Sequence, residues 1–294
     1  MTLPNGVSEI ELAPGYPALK IETPFCSAVL ALHGAHLTHW QPSQAAEPVI
    51  YNSPEAIYRE GKAIRGGIPL CWPWFNAHPS APDQHPSHGV ARNRFWEVDF
   101  VAEKDGNIIV RLVLTPDEAI AAHVPFDFEL VAHFVLGESL EMELTTTNRT
   151  SAPVPVGGAL HTYYQVSGIS QVKLHGLQNT PYLDTTVAPE GDVRQEEEEL
   201  AIEGEVDRIY YGTANEVTIL DEGWQRRLKV AKKGSLTTVV WNPWTEKAAA
   251  LGDLPDEGYR DFVCVEACNA RHDTRIVAPG ESHTLATSVV VESL

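Results

Sequence analysis

Positive charge is scarce in this sequence. Its 294 residues carry 21 Lys and Arg against 40 Asp and Glu, a formal net charge of −19. A chain this acidic lacks the basic surface that phosphate neutralisation demands, so nucleic acid is excluded as a partner. An anionic membrane face is excluded for the same reason. Long apolar runs are also missing. The longest are strand-sized, such as Ile108–Leu114 and Val289–Val291, far short of a membrane span. Cysteine is sparse: Cys26, Cys71, Cys264 and Cys268, with no CxxC pair. The opening Met1-Thr-Leu-Pro-Asn-Gly has neither a basic nor an apolar segment, so no signal peptide is expected. Reduced thiols and a cytoplasmic location follow. The His and Cys spacing fits no structural zinc pattern. There is no GxGxxG, no GxxxxGK[ST] and no GxSxG, so nucleotide binding through a glycine loop and activated-serine hydrolysis have no support.

Helical periodicity is scarce too, with one short candidate at Asp117–Ala122. Strand patterns fill the chain. Leu140, Met142 and Leu144 alternate with Glu141 and Glu143, and Ile108, Val110, Leu112 and Leu114 alternate around Arg111, each reading as a half-buried antiparallel strand. Further strands are expected at Leu19–Glu22, Ala28–Leu32, Asp127–Val135, Glu216–Leu220, Arg227–Val230, Leu236–Trp241, Phe262–Ala267 and His283–Val291. Turn clusters such as Asp105-Gly-Asn107 and Ala278-Pro-Gly-Glu281 separate them. Many short strands with few helices predict an all-β sandwich or barrel. The 21 Gly and 21 Pro are spread along the chain rather than gathered in a linker, so one domain over residues 1–294 is expected.

Charge is distributed unevenly. Residues 190–207 hold nine acidic residues against Arg194 alone, which reads as a solvated surface loop. Residues 59–94 run the other way, with Arg59, Lys62, Arg65, Arg92 and Arg94 against Glu60 and Asp83. Either these guanidiniums pair with local carboxylates or they line a pocket for an anion, where Arg forks bind bidentately. Within this stretch, Gly66 and Gly67 allow positive φ or close approach of backbone to a ligand. Trp72, Trp74 and Phe75 are core anchors or flat faces for a sugar ring.

Two titratable residues stand out. His161 follows a Gly pair in Gly157-Gly-Ala-Leu-His161, at an expected strand, where a histidine is either structural or a proton donor near neutral pH. Glu266 interrupts the apolar run Phe262–Cys268. Alternation puts it on one face with Cys264 and Cys268. Either this is an edge strand with Glu266 in water, or a buried carboxyl has a task that justifies its desolvation. His33, His36 and His39 do not converge on a metal, because strand alternation sends His36 to the opposite face.

Taken together, Gly34-Ala-His36, Ile64-Arg-Gly-Gly-Ile-Pro69, Trp72-Pro-Trp-Phe75, His88-Gly-Val-Ala-Arg92, Leu160-His161, Asp207-Arg-Ile-Tyr210, Trp241-Asn-Pro-Trp244 and Val265-Glu266 resemble the glucose-6-phosphate 1-epimerases of the aldose 1-epimerase superfamily. The motifs run in order over nearly the whole chain. The resemblance implies a large antiparallel β-sandwich of the galactose-mutarotase type. It implies His161 and Glu266 as catalytic residues, and Arg65, Ser87, Arg92 and Asp207 as contacts to a sugar phosphate. At Ser87 family members often carry another polar residue. It implies no metal, no organic cofactor and a monomer. The alternatives are an epimerase of unphosphorylated sugars, which has no need of Arg65 and Arg92, and a carbohydrate-binding protein without catalysis.

Overall fold

In the computed structural model, which describes residues 2–187 and 191–294, the alternation at Ile108–Leu114 becomes the strand Asn107–Leu114 with every second side chain buried. Asp105 and Gly106, both at positive φ, turn the chain back from the strand Glu97–Lys104, the geometry a two-residue hairpin favours. Ser139–Asn148 repeats the pattern, with Leu140, Met142 and Leu144 inward and Glu141 and Glu143 outward. These strands belong to a nine-stranded antiparallel sheet. A four-stranded sheet holds residues 7–42.

The sheet that matters for function has eight strands. Six of them are labelled here: β1 (Leu70–Cys71), β2 (Gly158–Leu160), β3 (Tyr163–Gln165), β4 (Val206–Tyr211), β5 (Thr237–Asn242) and β6 (Phe262–Asn269). β6 lies between β5 on one side and β2 and β3 on the other. Every residue of β6 is buried. It is therefore an interior strand, and the edge-strand alternative for Glu266 is overturned. One face of β6, with Val263, Val265 and Ala267, joins a core that includes Val110, Leu112, Leu140 and Met142 of the nine-stranded sheet. The Trp72 indole spans the same layer, donating to Thr146 Oγ1 at 2.8 Å.

Among the described residues there are two short α-helices, Glu118–Ala121 and Trp244–Ala249. The first is the expected one, capped by Asp117, whose carboxylate accepts from the Ile120 N–H at 2.6 Å, an N-cap. No described helix is long and apolar enough to cross a membrane. The acidic run is not simply a loop. Gly191–Arg194 and Leu200–Ala201 are edge strands within it, while Glu196 to Glu199 are exposed; Glu190 lies outside the described residues. Only its charge was readable, since backbone pairing leaves no signature in a polar edge strand.

Candidate active site

β2 and β3 are two stretches of one line interrupted at His161 and Thr162. Leu160 pairs with Ala267, and Tyr163 pairs with Cys264. The interruption thus faces Val265 and Glu266. It turns the imidazole toward the carboxyl: His161 Nδ1 lies 3.3 Å from Glu266 Oε1. Glu266 is 1% exposed and His161 9%. Neither Nδ1 nor Oε1 has a hydrogen-bond partner among the described residues. The other carboxyl oxygen, Oε2, faces the Cys268 thiol at 3.8 Å. Buried polar atoms are almost always satisfied, and these two face each other.

The electrostatics set the proton inventory of the empty site. Burial first, then the charges of Arg92 and Arg65, push His161 down to about 3. Burial first, then the negative charge of Asp207, pushes Glu266 well above the ordinary carboxylate range, opposed by Cys268 and Arg92. Both shifts favour the uncharged forms, a neutral imidazole beside a protonated carboxyl.

The walls are aromatic. The Tyr163 ring stacks parallel to His161 with centroids 5.0 Å apart, and Trp241 stands edge-on at 5.9 Å. His88 and Phe75 border the imidazole at 5.8 and 6.5 Å. Asp207, Trp241, Cys264 and Tyr163 form one row across β4, β5, β6 and β3. A ligand nitrogen of His161, Cys264 Sγ and a Glu266 oxygen all lie within 4.8 Å of one another. A cavity of about 700 Å³ adjoins the site. It shares Phe75 and Asn76 with this neighbourhood, but neither His161 nor Glu266 lines it.

Of the residues singled out from sequence, His161 and Glu266 are brought together directly. Arg65 is held by Asp253, which accepts from its Nε at 2.9 Å, and by the Tyr163 hydroxyl, which accepts from Nη1 at 3.1 Å. Arg92 donates from Nη2 to the Ser87 carbonyl at 3.1 Å. No carboxylate is within ion-pair distance of Arg92 among the described residues. Arg65 thus has a carboxylate partner, but one distant in sequence rather than local. Ser87 is exposed and meets Arg92 through its backbone. Asp207 is half-buried on β4, its carboxyl raised chiefly by burial.

Three further readings from sequence can be decided, two of them in favour of an alternative already given: positive φ at the glycines and core anchoring by Trp72 and Trp74. Gly66 and Gly67 do have positive φ, yet a Cβ there would strike Asn52 Cα at 2.6 Å and His36 Nε2 at 2.1 Å. The close approach is to the chain itself, not to a ligand. Trp72 and Trp74 are buried anchors, and only Phe75 of that trio borders His161. His33 precedes the strand His36–Pro42, and a bulge interrupts the pairing there. The three histidines do remain apart, but through separate partners rather than alternation. His33 accepts from Gly61 N–H, His36 meets Gly66 O, and His39 meets Ser27 Oγ. Asp253, Tyr163 and the Trp241 edge were not identified from sequence as parts of the site. Only Trp241 carried a signal, in its Trp-Asn-Pro-Trp motif.

The sequence pattern of the aldose 1-epimerase family matches residues 17–290. A protein of Cenchrus ciliaris, provisionally named a glucose-6-phosphate 1-epimerase, is 36% identical over 82% of this chain and 74% of its own. One of Escherichia coli with the same provisional name is 33% identical over 93% of this chain and 90% of its own. The crystal structure of a provisionally named mutarotase from Salmonella typhimurium superposes with a TM-score of 0.91 at 31% identity, covering 100% of this chain and 96% of that one.

Proposed function

The chain belongs to the aldose 1-epimerase family, and we propose that it interconverts the α and β anomers of an aldohexose 6-phosphate, glucose 6-phosphate foremost, without a cofactor. The observation that carries this reading is the His161–Glu266 pair, 3.3 Å apart and otherwise unpartnered, beside two guanidiniums. Family membership supports the anomer chemistry. The provisional names of the relatives support the phosphorylated substrate.

Ring opening removes the proton from the C1 hydroxyl and protonates the ring oxygen. Glu266 takes the first proton and His161 gives the second. The aldehyde rotates about C1–C2, and closure on the other face returns both protons. One proton is shared throughout. Before opening it sits on His161; with the open chain it sits on Glu266, which leaves both groups in the neutral forms that burial favours. A phosphate at Arg65 and Arg92 offsets the positive field that, after burial, depresses His161, and so favours the protonated imidazole. Asp253 and Tyr163 fix the Arg65 guanidinium before substrate arrives, which makes phosphate capture a positioning device. The partly exposed rings of Trp241 and Phe75 offer apolar surface to the C–H face of the sugar. The same reading has one domain acting as a monomer in the cytoplasm. The four cysteines, all free thiols, agree with a reducing compartment.

Exchange spectroscopy on glucose 6-phosphate against free glucose tests the proposal. The expected result is accelerated exchange with strong preference for the phosphate; equal acceleration of both would favour an epimerase of unphosphorylated sugars, and binding without exchange would favour a carbohydrate-binding protein.

A further inference from the structure

We propose that His161, Cys264 and Glu266 form an inhibitory site for a thiophilic divalent cation, Zn²⁺ in particular, which competes with the sugar. The inhibitory part rests on the acid–base reading above; the metal-binding part does not.

The three side chains supply one nitrogen, one sulfur and one carboxylate oxygen, the donor set that borderline-soft Zn²⁺ takes. Their ligand atoms all lie within 4.8 Å of one another. With bonds of about 2.0–2.2 Å, tetrahedral zinc holds its nitrogen and oxygen ligands about 3.3 Å apart. His161 Nδ1 and Glu266 Oε1 already stand 3.3 Å apart. The sulfur must close to about 3.6 Å from each, from 4.8 Å at most. Nδ1 and Oε1 are buried and have no hydrogen-bond partner among the described residues. No protein hydrogen bond is broken when they turn to a cation.

Charge argues the same way. Thiolate and carboxylate neutralise Zn²⁺, and the imidazole binds neutral. The complex carries no net charge, so neither its burial nor the nearby Arg65 and Arg92 opposes it strongly. Binding releases the Cys264 thiol proton and the Glu266 carboxyl proton to solvent. His161 keeps an 11% exposed side chain and is the most exposed of the three ligands. Zinc bound there occupies both proton-transfer groups at once. Cys264 takes no proton in the reaction, so the thiol selects the inhibitor without being needed for turnover.

The test uses the full chain. Zn²⁺ alone is titrated into metal-free protein by calorimetry, and Co²⁺ binding is followed by absorption. Inhibition is then measured against glucose 6-phosphate. Expected are one zinc per chain, a thiolate-to-cobalt charge-transfer band, and inhibition that is competitive and reversed by a chelator. Cys264→Ser should lose the band and weaken zinc by at least about tenfold, the lower end of what even outer-shell changes cost a metal site. Absence of zinc binding, a cobalt complex without the band in the wild-type protein, or equal zinc affinity in Cys264→Ser would each overturn the site. The calorimetric and spectroscopic results need no activity, so they stand even if the sugar phosphate proves the wrong substrate. Zinc that binds through Cys264 but leaves sugar exchange untouched would overturn the competition.

Discussion

His161 Nδ1 and Glu266 Oε1 face each other at 3.3 Å across the interruption between β2 and β3, and neither has a hydrogen-bond partner among the described residues. An interior strand is an expensive place for a carboxyl. Here the backbone of the neighbouring line breaks opposite it, and an imidazole fills the gap. The fold thus stores an acid and a base in contact, with their joint proton count set by burial and by the guanidiniums around them.

Arg92 has no ion-pair partner among the described residues, whereas Arg65 is held by Asp253. Arg92→Ala should therefore raise KM for glucose 6-phosphate far more than KM for free glucose. Steady-state kinetics on both sugars would reveal it. A similar rise for both would remove phosphate from the role of Arg92.

Asp253 is nearly buried, with a 6% exposed side chain, and it serves Arg65 and Lys62 together. Asp253→Asn keeps the volume and removes the charge. It should cost about 1.5–3 kcal/mol of stability, the range for hydrogen bonds to charged groups, and raise KM for the phosphorylated sugar. Urea unfolding gives the first quantity and kinetics the second. Unaltered stability with unaltered KM would mean that Arg65 needs no anchor.

Burial holds His36 down to about 3 and His33 to about 4. Both are neutral in the folded chain and ordinary in the unfolded one. Groups depressed in this way contribute their full stability above about pH 6.5 and lose it as pH falls toward the folded values. Stability should decline from pH 6.5 to 4. His36 alone accounts for about 2 kcal/mol at pH 5 by linkage. His36→Gln should flatten the slope, whatever it does to stability at pH 7. A slope unchanged by the substitution would contradict the assignment.

How much of this was legible in the sequence differs from residue to residue. Alternation of period two located Asn107–Leu114 and Ser139–Asn148, because each buries one face and wets the other. It also put Cys264, Glu266 and Cys268 on one side of β6, which the contact between Cys268 and Glu266 bears out. It could not tell whether that strand was interior, since an apolar run looks alike at an edge and at a centre. Helix Trp244–Ala249 was hidden behind Asn242-Pro243, which reads as a turn. The anchor of Arg65 lies 188 residues away in Asp253, a separation no local pattern spans. The meeting of His161 with Glu266 depends on a break in strand pairing, and only the family resemblance pointed to it. The grouping with Cys264 came from the fold alone.

The most direct test is the rate of α–β exchange of glucose 6-phosphate, measured by magnetisation transfer, for the wild-type chain and for Glu266→Gln. Positioned acid–base groups contribute on the order of 10²–10⁴ in rate. The wild type should accelerate exchange far above the spontaneous rate, and Glu266→Gln should lose that acceleration while still binding the sugar phosphate. Wild-type rates in the Glu266→Gln variant would contradict the account.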